Sequence, residues 1–272
     1  MLILKNEYLK VELLDPNNDQ DLLGTRYCAG GYVYQVTDNQ VGPLLSGPTY
    51  GVEFDPFHGQ GLPDSFSFSD IYLADQQRIK LIPGVGTVDI ESGKLVEQAA
   101  WTVETTTSSA VFIARQKLGE IEIEIEREVS LVDRCLVSKT VFRNLSSRKI
   151  PFTWFPHPFF PVDKADPKLL GQVIPSKFSL DSDGYSMNRT GTIVRKNWPW
   201  KTDKYGVLDQ EWTQPITIVQ RHPKVGQVVL TTSYTPTYFP IWGNMLTFSW
   251  EPMISRLLAP NQSASWRISY FF

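Results

Sequence analysis

Residues 121–126 read Ile121-Glu122-Ile123-Glu124-Ile125-Glu126. Side chains alternate across a β-strand, so the stretch puts three isoleucines on one face and three glutamates on the other. Val129 and Leu131 continue the apolar parity. Val132-Asp133-Arg134 can turn the chain, and Cys135 to Arg143 then reads as the returning strand. The glutamate ladder is expected to be a solvated strand face rather than a metal site, because antiparallel sheets commonly bury one face and wet the other.

Working outward, the same alternation recurs at Lys10 to Leu14, Gly31 to Val36, Leu95 to Glu104, Ala110 to Gln116, Ile216 to Arg221, Gln227 to Ser233 and Met245 to Glu251. It closes the chain at Trp266, Ile268, Tyr270 and Phe272, an aromatic stripe that must pack into a core. Helical periodicity is nearly absent. Pro167 to Val173 is read as one short helical turn, and Asn197-Trp198-Pro199-Trp200-Lys201 as a loop. Short strands separated by Pro, Gly, Asn and Asp predict an all-β sandwich or barrel, organised as one domain over residues 1–272.

The 272 residues are 42% hydrophobic and 20% charged, which is a globular composition. The formal net charge of −3 and the scattered basic residues argue against a nucleic-acid surface. No apolar run is long enough to span a membrane, and the N-terminus lacks a signal-like apolar segment. The expectation is a cytoplasmic protein with no membrane partner. Cys28 and Cys135 lack metal-ligand spacing and read as a reduced pair. No metal or cofactor motif is present, and the sequence does not address oligomeric state.

Two segments hold a titratable group in a stiff aromatic setting. One is Phe155-Pro156-His157-Pro158-Phe159-Phe160; the other is Phe248-Ser249-Trp250-Glu251-Pro252. An imidazole and a carboxylate suffice for proton transfer if the fold unites them. Strand parity puts Thr247, Ser249 and Glu251 opposite Leu246, Phe248 and Trp250, and Pro252 should end regular pairing there. Taken singly, His157 reads as a packed histidine and Glu251 as a solvated strand end. His58, in Phe57-His58-Gly59-Gln60-Gly61, lies in a loop whose glycines permit close approach of a ligand. His222 reads as part of a hairpin turn without a functional role.

Phe57-His58-Gly59, His157-Pro158-Phe159-Phe160, Trp250-Glu251-Pro252 and the final strand Trp266 to Phe272 resemble, in order and along the whole chain, the aldose 1-epimerase (galactose mutarotase-like) superfamily. Leu258 to Ser263 resembles that family's loop before its last strand, and Gly24 to Tyr32 the start of an early strand in its shorter members. The resemblance implies a large antiparallel β-sandwich. It implies Glu251 as general base, His157 as general acid and His58 as a sugar-binding residue, with no cofactor. Tyr238 and Trp242 precede the Glu251 strand and could wall the site together with Phe159. The implied partner is a monosaccharide or a sugar phosphate. Arg26 and Arg78 are the cations available for a phosphate; Asp203 and Asp181 are candidates for holding sugar hydroxyls. The chain departs from the family pattern before His58, where no Asn- and Arg-rich segment occurs, and at Pro158. A carbohydrate-binding protein without turnover and a hexose-6-phosphate 1-epimerase are the alternatives to anomer interconversion.

Overall fold

A computed structural model describes residues 1–51, 53–66 and 78–272. The stretch 121–126 lies in the strand Ile121–Val132. Ile121, Ile123, Ile125, Val129 and Leu131 are all buried. Burying each such side chain contributes roughly 1.5–3 kcal/mol. The glutamates face outward and are matched by cations: Arg143 binds Glu124 at 2.9 Å and Glu126 at 2.8 Å, and Arg115 pairs with Glu122. The ladder is therefore a solvated ion-pair face, as expected. Asp133, at φ 50°, turns the chain into Cys135–Asn144.

These two strands lie within a ten-stranded sheet whose neighbours are antiparallel. Its inner face carries Phe142 and Trp266. They pack on Phe66, Phe152 and Trp154 of a three-stranded sheet, with Phe152 and Trp266 stacked at 5.3 Å. A five-stranded sheet continues this second layer, and Trp250 donates from it to Gln220 of the large sheet at 2.6 Å. Two further sheets, of four and three strands, lie among the described residues. The result is the all-β antiparallel sandwich that the alternation predicts. Among the described residues the only helical turn is a 3-10 turn at Gln20–Leu22. No helix among the described residues is long and apolar enough to cross a membrane.

Three local expectations are corrected. Pro167 to Val173 is not helical: Leu169–Ile174 is a strand inside the ten-stranded sheet. A register shift between Leu169 and Gly171 interrupts its alternation, leaving Leu170, Gly171 and Val173 buried and Ile174 exposed. Leu95 to Glu104 is two strands, Lys94–Gln98 and Trp101–Thr105, in different sheets. Leu246 does not share a face with Phe248; it lies in the turn before Thr247–Trp250 and is exposed.

The second layer is where the chain changes sheets. Ile150–Pro156 is the middle strand of the three-stranded sheet, and Phe160–Pro161 pairs into the five-stranded one. Residues 157–159 cross between them. Thr247–Trp250 lies in the five-stranded sheet and Ile254–Leu258 in the three-stranded one, so residues 251–253 cross the other way. Pro158 and Pro252 lie inside these crossings, where a missing N–H costs no ladder bond. The remaining amides are satisfied by fixed partners: His157 N–H donates to the Pro63 carbonyl and Phe159 N–H to that of Gly61, both at 2.8 Å, and Glu251 N–H to that of Pro240 at 3.0 Å.

Candidate active site: the His157–Glu251 pair

The two crossings lie side by side. They bring His157 Nε2 to 3.4 Å from Glu251 Oε1. His157 is 3% exposed and Glu251 6%. A separation of 3.4 Å is long for an N–H···O bond. Glu251 Oε1 accordingly has no hydrogen-bond partner among the described residues, although it is buried. Buried acceptors are almost always paired, so this oxygen is poised for a donor. On the other side of the ring, Ser249 Oγ lies 3.3 Å from Nδ1. Trp242 is paired directly across from Ser249.

Aromatic rings set the imidazole plane. Phe159, fully buried, stacks beneath it at 4.6 Å and 24°; Trp242 stands at 5.5 Å, and Tyr27 meets it edge-on at 5.9 Å. Phe159 therefore supports the imidazole from below rather than offering an open face.

Burial dominates the electrostatics. It raises the Glu251 carboxyl to about 8, against the opposing pull of the Arg26 charge and a hydrogen bond from Ser249. It holds the His157 imidazole well below its usual range, and the Arg26 charge pushes the same way. The physical basis is that a buried pair disfavours net charge. With the carboxyl raised and the imidazole lowered, burial favours the uncharged form of each group near neutral pH.

The other expected residues differ in their relation to the pair. Arg26 acts electrostatically on both groups and lies over Tyr27 and Phe57 at 5.0 and 5.4 Å. Arg78 is instead paired with Asp89 at 2.7 Å and Glu91 at 3.4 Å. The His58 side chain is turned to Asp55 at 3.2 Å and Tyr50 at 4.7 Å, while its carbonyl accepts from the Tyr27 hydroxyl. It stands at the rim and not in the pair. Tyr238 is exposed, with its hydroxyl 3.1 Å from that of Tyr205. Of the two acidic candidates, Asp203 accepts from the Tyr50 hydroxyl at 2.6 Å, whereas Asp181 ends the exposed strand Ser179–Asp181. His222 is a structural histidine: its Nε2 lies 2.6 Å from the Leu44 carbonyl, and its Nδ1 accepts from Lys224 and Val225.

Sequence reasoning missed Ser249, Tyr27 and Tyr205. Ser249 has the same strand parity as Glu251 in the sequence. Tyr27 and Tyr205 join the site through pairing between distant segments, which no local pattern announces.

Solved structures share this architecture along its whole length. A galactose mutarotase related enzyme from Lactobacillus acidophilus superposes with a TM-score of 0.65 at 12% identity, covering 99% of this chain and 96% of that one. The chain has the galactose mutarotase-like fold. A galactose mutarotase-like protein from Lactobacillus casei gives 0.63 at 12% identity, covering 100% and 99%. An aldose epimerase homologue from C. elegans gives 0.52 at 10%, covering 99% and 97%. No protein-family model matches the sequence, and no curated protein does. At these identities the likeness is one of fold. Within the galactose mutarotase-like fold, chemistry has to be argued from the site itself.

Proposed function

We propose that the protein interconverts the anomers of an aldose by general acid–base catalysis at His157 and Glu251. The observation that carries this reading is the buried, unpartnered Glu251 Oε1 standing 3.4 Å from the imidazole. In a cyclic aldose the anomeric hydroxyl and the ring oxygen are bonded to the same carbon. Two adjacent catalytic groups can therefore touch both. In the ionised form of the pair, Glu251 takes the proton of the anomeric hydroxyl while His157 protonates the ring oxygen. The bond from C1 to the ring oxygen breaks, and C1 becomes a carbonyl carbon. After rotation about C1–C2, the ring oxygen attacks the other face and both protons return. Burial favours the uncharged tautomer of the empty site, whereas sugar hydroxyls donating to Glu251 favour the carboxylate. Each group is worth roughly 10²–10⁴-fold. Arg26 supports a substrate carrying negative charge, such as a hexose 6-phosphate, as the variant of this reading.

Polarimetry on freshly dissolved α-glucose, α-galactose and their 6-phosphates tests the proposal. Acceleration over buffer with at least one sugar is the expected result. Calorimetric binding of a sugar without acceleration of any would replace it with a non-catalytic carbohydrate-binding role.

A further inference from the structure

Six aromatic side chains are exposed among the described residues: Tyr8, Tyr50, Phe57, Tyr205, Tyr238 and Phe271. Isolated exposed aromatics are ordinary. Four of these six gather around the His157–Glu251 pair. Tyr205 is paired with Trp242, which borders the imidazole, and its hydroxyl meets that of Tyr238 at 3.1 Å. Phe57 lies under Arg26, whose charge acts on the pair. Tyr50 joins the two sides, with its ring 4.7 Å from His58 and its hydroxyl bonded to Asp203, two residues before Tyr205. A polar-edged apolar patch of this kind marks a binding surface.

The depth of the pair fixes which end of a sugar would face this collar. If C1 is delivered to groups that are 3% and 6% exposed, the far end of the ring points outward. In a pyranose that far end is C4. A sugar linked through O4 would thus rest on the collar, where tyrosine rings offer faces for its C–H surface and their hydroxyls, with Asp203, offer polar contacts.

We propose that Tyr50, Phe57, Tyr205 and Tyr238 form a second sugar subsite, so that the site takes the reducing end of a 1→4-linked oligosaccharide. The inference rests on the reading that C1 is delivered to His157 and Glu251. Binding is measured in Glu251→Gln protein, which removes turnover and keeps the shape, by calorimetry with glucose, maltose and cellobiose. At least one disaccharide is expected to bind about tenfold or more tighter than glucose, and adding Tyr205→Ala should abolish most of that difference. Tyr8→Ala, in a separate patch with Val132 and Phe271, should leave the difference intact. Equal affinity for glucose and both disaccharides, or binding of none of them, would overturn the subsite. A disaccharide preference together with no acceleration of mutarotation by the wild type would keep the subsite and remove the epimerase reading. Acceleration without any preference would do the reverse.

Discussion

His157 Nε2 and Glu251 Oε1 stand 3.4 Å apart because two proline-bearing segments cross between the same two sheets in opposite directions. Each crossing ends one strand and starts another. The pair is thus held from both sides by sheet hydrogen bonds, which is the rigidity that proton transfer between fixed positions needs.

Stability should depend on pH through Glu251. Its carboxyl is raised to about 8 by burial, whereas an unfolded glutamate titrates near ~4.3. Between those values folding takes up a proton, so stability falls as pH rises toward 8. Glu251→Gln has no proton to take up. Its Tm advantage over the wild type should grow from pH 5 to pH 8 by on the order of 5 °C and then level off. A difference that stays constant across that range, measured by thermal denaturation, would show that the carboxyl is not raised.

Ser249 is a positioning residue, since it touches His157 Nδ1 at 3.3 Å and lies on the ring's far side from Glu251 Oε1. Ser249→Ala should lower kcat about tenfold with little change in KM and should move the acidic limb of the pH–rate profile, because imidazole orientation and basicity both change. A pH profile identical to the wild type would leave Ser249 with a packing role only.

Phe159 is fully buried beneath the imidazole. Phe159→Ala should cost roughly 3–5 kcal/mol in urea denaturation, by lost transfer energy and a residual cavity. A cost under ~1 kcal/mol would mean that the site collapses freely around the imidazole, against the rigid support described here.

Asp64 pairs with Arg127 in the interior, and the two are 6% and 1% exposed. Asp64 also pairs in register with Pro156, next to His157. Asp64→Asn leaves a buried guanidinium without a counter-charge and should destabilise by ~3–5 kcal/mol, read by denaturant unfolding. Replacing both partners with apolar residues should cost much less. An Asp64→Asn protein as stable as the wild type would show that Arg127 is neutralised by something other than Asp64.

The sandwich was legible because its strands each bury one face. Ile121 to Glu126, and Trp266 to Phe272, write the core and the solvent side into alternate positions. Leu169–Ile174 was illegible because a register shift between Leu169 and Gly171 breaks its alternation, so buried Leu170 and Gly171 are consecutive. Glu251 could be placed at a strand end from parity and Pro252. That it is buried against His157 depends on the crossing of two distant segments. Arg127 shows the limit most plainly: its parity sets it on the inner face with Ile125 and Val129 while its charge argues for solvent, and only the position of Asp64 accounts for its burial.

The most direct test of the account is the rate of anomer exchange in Glu251→Gln protein whose sugar affinity and fold are intact. Exchange measured by polarimetry or by magnetisation transfer between the two anomeric protons should fall by ~10² or more while the calorimetric Kd changes little, because the variant keeps the shape and loses the proton acceptor. A variant that binds sugar and exchanges anomers as fast as the wild type would contradict a catalytic role for the His157–Glu251 pair.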